Sequence, residues 1–211
     1  MLFEVIQLMR SRWMFFLNLL LEHLQISAVA ILIAMAIGLL VGVAISEFQK
    51  GAKLVIGIVN FFYTIPSISL LGFLIPLSGI GNTTAVIALT VYAMLPMVRG
   101  TYTGLTNVSP LLIEAATGMG STRLQVLLRI KLPLAMPVIV SGIRSMAVMT
   151  IALAGISSFI GAGGLGVAIY RGITTNNKAM TIAGSLLIAL LAIVVDLIIG
   201  CAEKAAKKHR I

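Results

Sequence analysis

The chain has 211 residues, of which 60% are apolar and only 10% charged, and a net charge of +9. An ordinary soluble domain is about 25% charged, and a single core of this size could not hide so much apolar surface, so a soluble globular protein is excluded and lipid is the solvent that fits. Nor is the excess of Lys and Arg a nucleic-acid footprint, because the cations sit between long apolar runs and the aromatics that would stack bases amount to 6%.

In chain order, residues 1–23 form an N-terminal segment. Arg10 and Arg12 followed by the apolar stretch 13–21 resemble a signal peptide, but Glu22, His23 and Gln25 stand where small cleavage-site residues belong. Residues 1–21 are expected to be an uncleaved interfacial helix, with a sixth span as the alternative. A membrane helix needs about 20 apolar residues, and five runs qualify. They cover residues 24–46, 54–77, 84–99, 132–160 and 179–200, within a transmembrane domain of residues 24–200. A polar turn at 47–53 separates the first two. Pro66 is expected to kink the second span, the fourth is long enough to tilt or to kink at Pro137, and Pro96 lies near the end of the third. Residues 161–178 read as a Gly-rich loop and 201–211 as a basic tail.

Orientation follows the Lys/Arg asymmetry of the loops. Placing the C-terminus in the cytoplasm puts ten cations there: Lys50, Lys53, Arg99, Arg123, Arg129, Lys131, Lys204, Lys207, Lys208 and Arg210. Arg10, Arg12, Arg171 and Lys178 then lie outside, and Arg144 falls within the fourth span. The chain is thus expected to be a multi-pass membrane protein, with the 105–133 loop and the C-terminus in the cytoplasm.

That loop is the longest stretch without a spanning run. It reads Glu114-Ala-Ala-Thr-Gly-Met-Gly120, then nine residues, then Ile130-Lys-Leu-Pro133. The pattern resembles the cytoplasmic loop of the permease subunits of ATP-binding-cassette importers, with every fixed position present at the right spacing. The resemblance implies a type I importer permease fold, all-α with about five transmembrane helices, in a bacterial cytoplasmic membrane. It also implies an ATPase-coupling role for Glu114, Ala115, Ala116, Gly120, Ile130, Leu132 and Pro133. The residues suit two short helices. Pro110 fits a helix start, small Ala115 and Ala116 permit close approach to a partner, and Gly120 favours a left-handed helix end. Residues 121–129 would form the second helix before Pro133 redirects the chain.

Gly161, Gly163, Gly164 and Gly166 match a dinucleotide fingerprint in form. A membrane span precedes them, however, and the next acid, Asp196, comes 30 residues after Gly166, so a nucleotide site is rejected. Osmoprotectant and methionine permeases carry a similar segment, which implies a tight external turn where a substrate-binding protein docks. Thr64-Ile-Pro-Ser67, the segment 95–104 and the segment 157–166 further resemble the osmoprotectant branch, which handles glycine betaine, carnitine and choline. Methionine or another amino acid is the alternative cargo.

No Walker A motif occurs. ATP and Mg are therefore expected on partner ATPase subunits, with no cofactor or metal on this chain. The other expected partners are a second permease subunit, same or homologous, and an extracytoplasmic binding protein. Tyr63, Pro66 and Ser67 on the second span, with Tyr92, Met94 and Pro96 on the third, are candidate pathway residues. There, proline breaks expose carbonyls and aromatic faces attract quaternary ammonium ions. Arg144 and Asp196 are candidate intramembrane partners, either a gate or, preferably, a packing pair. Cys201 reads as a small hydrophobe at a helix end, and His23 and His209 receive no role. An ion-gradient-driven transporter is the competing class, disfavoured because Asp196 is the one carboxylate well inside a span. A membrane enzyme lacks any recognisable nucleophile–base pair.

Overall fold

The computed structural model describes residues 2–208, with side chains through residue 204, and every regular element among them is helical. The first departure from expectation is at the N-terminus. Helix α1 (Leu2–Ser11) is short, the chain bends at Arg12, and α2 (Trp13–Glu47) then runs unbroken for 35 residues. Ten helical residues rise about 15 Å, half of a hydrocarbon core, so α1 is no sixth span. Residues 13–21 belong to the first membrane helix rather than to a separate surface segment. They continue it because nothing between Trp13 and Leu21 breaks a helix. Val5 anchors α1 in a cluster with Phe16, Leu19, Leu165 and Met180.

A single residue, Phe48, separates α2 from α3 (Gln49–Thr64), so the expected polar turn is mostly helical. The second span is not kinked but broken. α3 ends at Thr64, α4 (Ser67–Ser78) begins after Pro66, and their axes differ by 98°. Pro66 supplies no amide to continue the ladder, and Ile65 is extended, as the residue before a proline prefers. α5 (Asn82–Thr106) runs well past the expected end at residue 99, because Pro96 is tolerated inside it.

Beyond α5 come α6 (Pro110–Gly118), a glycine turn, and α7 (Arg123–Val126), which opens on a Thr122–Gln125 capping box. α7 does not end before the membrane. A π-turn over Leu127–Lys131 carries it straight into α8 (Leu132–Ala154), so Pro133 does not redirect the chain. The wide turn, closed by Leu132 N–H donating to the Leu127 carbonyl, makes room for a proline that has no N–H of its own. α8 ends at Ala154, six residues before the expected end of the fourth span, in a 3₁₀ turn over Ile156–Ile160. α9 (Gly166–Thr174) occupies much of the expected loop. α10 (Lys178–Lys208) continues past Gly200, so most of the expected tail is helical, and residues 209–211, including His209 and Arg210, lie outside the described part.

α2, α8 and α10 have the length and apolarity to cross a membrane, as does α5, and the bent α3–α4 pair makes a fifth candidate. Water exclusion does not drive helices together in lipid, so close packing of small residues does it instead. Gly38 and Gly42 of α2 sit against Met97 and Thr101 of α5, where any Cβ would collide. Gly100 of α5 lies so near α8 that its Cβ would come within 3.1 Å of the Gly142 Cα. Ala34, Ala93, Met97, Ala135, Ile139 and Met146 fill the seam between these three helices.

Candidate functional site

Polar side chains gather at both ends of this apolar bundle, at the helix break and in one place within it. At one end is the stretch between α5 and α8. Ser109 precedes Pro110, which starts α6 with its fixed φ, and Gly120 turns the chain at φ +86°, the left-handed conformation expected of it. Glu114 and Ala115 face outward, whereas Ala116 is buried against its own chain, so only the first of the two alanines offers a contact surface. The outer surface is strongly apolar: Leu111 is 75% exposed, Met119 88% and Leu124 63%. Ile130 and Leu132 are half-buried and Pro133 exposed at the root of α8. Lys131, in the π-turn, donates to Glu47 Oε1 at the end of α2 over 2.6 Å.

At the α3–α4 break, the Ile65 carbonyl loses its helical partner. The Tyr92 hydroxyl of α5 donates to it, and Tyr63 stacks edge-on against Tyr92 with ring centroids 6.1 Å apart. Tyr63 and Pro66 are exposed and Ser67 is half-buried. Tyr92 is buried, and Met94 packs towards Val98 and Ala52 rather than into open space. Pro96 lies where α5 meets Gly142 of α8. The carbonyl left open at the break is therefore taken by a side chain, not offered to a path. Tyr92→Phe leaves that carbonyl without a partner and is expected to destabilise the fold by about 1–3 kcal/mol, read as a lower unfolding temperature.

Within the bundle, Arg144 of α8 meets Asp196 of α10 in a two-bond fork, Nε to Oδ1 and Nη2 to Oδ2, both 2.6 Å. The pair expected from sequence is formed. What sequence reasoning missed is Glu203, whose Oε2 accepts from Arg144 Nη1 at 3.2 Å. Asp196, Gly200 and Glu203 share one face of α10, and bare Gly200 leaves room for the guanidinium, which its Cβ would approach to 3.2 Å. α10 runs to Lys208, so Asp196 is about three turns from its end. Cys201 is exposed nearby.

The opposite end of the bundle holds the 161–166 loop. Three successive amides of this loop each find a side-chain acceptor from another helix. Gly163 N–H donates to Asn82 Oδ1 (2.8 Å), Gly164 N–H to Glu22 Oε2 (3.2 Å) and Leu165 N–H to His23 Nδ1 (3.2 Å). Asn82 Nδ2 in turn donates to Glu22 Oε1 at 3.1 Å. Since His23 Nδ1 accepts, Nε2 carries the proton and donates to the Ile151 carbonyl at 3.0 Å. Gly161 and Gly164 have φ +76° and +88°, so a tight turn is indeed made, but Gly163 is needed for another reason. The Glu22 carboxylate occupies the space where its Cβ would be. Glu22, His23 and Asn82 were visible in the sequence only as polar residues at the edges of apolar runs. Among the described residues no cluster of three His, Cys, Asp or Glu is arranged to hold a metal.

A bundle of membrane-length helices with a proline-broken span, an exposed apolar knob at one end and a pinned glycine loop at the other is the build of a transport subunit. Residues 34–208 match the family described as binding-protein-dependent transport system inner membrane component, and the chain belongs to that family. It is 40% identical over 183 residues to the choline transport system permease protein OpuBB of Bacillus subtilis, covering 87% of this chain and 84% of that one. The carnitine transport permease protein OpuCB of Listeria monocytogenes is 39% identical over 182 residues, 86% of this chain and 84% of that one. A further relative, the ergothioneine transport permease/ergothioneine binding protein EgtU of Helicobacter pylori, is 41% identical over 78% of this chain and 30% of its own length. The fold superposes on a chain of the MetNI methionine transporter in an inward-facing conformation. The TM-score is 0.85 at 27% identity, over 93% of this chain and 98% of that one. The architecture is therefore that of a type I importer permease.

Proposed function

We propose that this chain is the permease subunit of an ATP-driven importer of small quaternary amines of the glycine betaine, carnitine and choline type. The observation that carries the reading is the knob between α5 and α8. Leu111, Met119 and Leu124 stand exposed on a glycine turn that is braced to the first span through Lys131 and Glu47. Apolar surface held out on a polar-rooted loop fits a protein partner. The Glu114-to-Pro133 pattern makes that partner the ATPase subunit, which binds the ATP and Mg. The Lys/Arg bias puts this end, and the C-terminus, in the cytoplasm.

The cargo follows from chemistry that the relatives' ligands share. Choline, carnitine and ergothioneine all bear a trimethylammonium group, which has no N–H to donate and is held best by aromatic faces. Tyr63, exposed beside Pro66 and Ser67, is one face this subunit offers near the broken span, with Phe61 and Phe62 exposed next to it. In the working cycle, a loaded binding protein docks at the 161–166 end of a permease pair. ATP binding closes the ATPases, the knobs move, and the cavity opens towards the binding protein; hydrolysis resets it. Methionine is the second reading, supported by the likeness to the methionine transporter.

The test is to purify the subunit with its ATPase and binding protein in lipid nanodiscs and measure ATP hydrolysis. Betaine-loaded binding protein should stimulate the complex, and Glu114→Ala and Gly120→Pro should each cut that stimulation about tenfold, within the usual range of coupling energies. Proline cannot adopt the φ of +86° found at Gly120. Stimulation by methionine but not betaine moves the cargo to the second reading. Solute flux that persists without ATP or any associated ATPase overturns the proposal in favour of a gradient-driven transporter.

A further inference from the structure

α2 carries one carboxylate at each end of its apolar run. Glu22 and Glu47 are 25 residues apart, about 37 Å along a helix, which is longer than a bilayer's hydrocarbon core of about 30 Å and so sets the two carboxylates at its opposite edges. Neither is idle. Glu22 accepts from Gly164 N–H and from Asn82, and so ties α2 both to the 161–166 loop and to the first residue of α5. His23, one residue on, takes the next amide of the same loop and reaches back to the end of α8 at Ile151. At the far end Glu47 holds Lys131, the last residue of the π-turn that joins the coupling knob to α8.

Between these two contacts α2 has little freedom to bend. Ala30 and Ala34 are fully buried, and Gly38 and Gly42 press directly on Met97 and Thr101 of α5. A single rigid element thus touches both working loops of the subunit. Coupling between distant sites is carried by such an element when each site biases a contact at its end. We propose that α2 is a strut that keeps the 161–166 loop and the coupling knob in register, with Glu22 and Glu47 as positioning residues at its two ends. The inference rests on the importer reading, in which the loop meets the binding protein and the knob meets the ATPase.

The chemistry of the two contacts dictates the variants. Glu22→Gln keeps the shape but turns one acceptor oxygen into an NH₂, which must face either Gly164 N–H or Asn82 Nδ2, donor against donor. Asn82 cannot relieve this by flipping, since its Oδ1 already receives Gly163 N–H. Glu47→Gln keeps the shape and removes the charge that holds Lys131. The exchange of Glu47→Lys with Lys131→Glu restores the pair in reverse.

The experiment uses the complete complex in nanodiscs and reads the ratio of ATPase activity with and without loaded binding protein, together with solute moved per ATP. Each single variant should lower the ratio about tenfold. The Glu22→Gln/Glu47→Gln double variant should lower it no further than the worse single, because both break one line of transmission. The 47/131 exchange should recover most of the wild-type ratio, a rescue that simple damage to the fold would not give. Wild-type ratios in both singles overturn the strut, as does a double variant whose loss is the product of the two single losses. If Glu22→Gln does not assemble, Asn82→Ser loosens the same end without setting donor against donor and takes its place in the cycle. A wild-type complex that binding protein fails to stimulate overturns the importer reading itself, an outcome distinct from any seen in the variants alone.

Discussion

Gly166→Ala is expected to destabilise the subunit strongly. The glycine opens α9 at the point where the 161–166 loop returns onto the end of α8. A Cβ there would overlap the Gly155 carbonyl oxygen outright, and would lie 2.8 Å from its carbon and 2.9 Å from Ser158 Oγ. Those atoms are backbone, or are held to it, since Ser158 Oγ donates to the same Gly155 carbonyl. Gly155 is itself closely packed, since a Cβ on it would come within 2.8 Å of Ile188 Cδ1 of α10. Overpacking usually costs about 1–3 kcal/mol when side chains can adjust, and this position belongs at or above the top of that range. For a chain of this size that is a fall of about 10 °C in the unfolding temperature of the solubilised subunit. Gly163→Ala makes the useful comparison. Its Cβ would meet only the Glu22 carboxylate, the free end of a flexible side chain, so the fold should survive while the Glu22 contacts are lost. A Gly166→Ala protein that unfolds within about 2 °C of wild type would sink this account of the loop.

The same loop shows what a sequence can reveal of such a protein. The spans were legible because each is a long apolar run, and lipid permits few other structures for one. Gly120 was legible because a helix end at that spacing needs a left-handed residue, and it has one. The helix limits were less so. Nothing in the apolar letters says that Pro66 turns the chain by 98° instead of kinking it, because the size of the bend depends on whether Tyr92 can reach the freed carbonyl. The end of α8 at Ala154 is likewise decided by contacts with α9 and α10 that lie far along the chain.

Least legible were the polar contacts at the two rims. Glu22 meets Gly164 across 142 residues and Asn82 across 60, and Lys131 meets Glu47 across 84. Periodicity carries no information at such separations. What it did offer was two adjacent polar residues, Glu22 and His23, inside what proves to be one 35-residue helix. Polar groups at the edge of a membrane helix need partners, and that demand is a signal even when the partner is unknown. Arg144 and Asp196 gave the same signal more strongly, because they interrupt apolar runs.

Arg144→Ala is accordingly expected to be the most damaging polar substitution in the chain. It removes the group that Asp196 grips with both carboxylate oxygens and that Glu203 also contacts. Asp196 would then sit within an apolar segment with the cation that joined it to α8 gone. Removing one member of such a pair leaves a charge uncompensated, which is far worse than removing both. The expected result is a steep loss of folded protein for Arg144→Ala, a smaller one for Arg144→Lys, which keeps the charge but not the fork, and substantial recovery when Arg144→Met is combined with Asp196→Leu and Glu203→Gln. Yield and unfolding temperature in detergent measure this order directly. Transport by the triple variant then separates the two roles that an intramembrane pair can have. If the neutral protein is stable and still moves solute, the cluster is a latch that packs α8 on α10. If it is stable but inactive, the same charges must change partners during the cycle. A triple variant no more stable than Arg144→Ala would show that the damage comes from lost packing over Gly200, not from stranded charge.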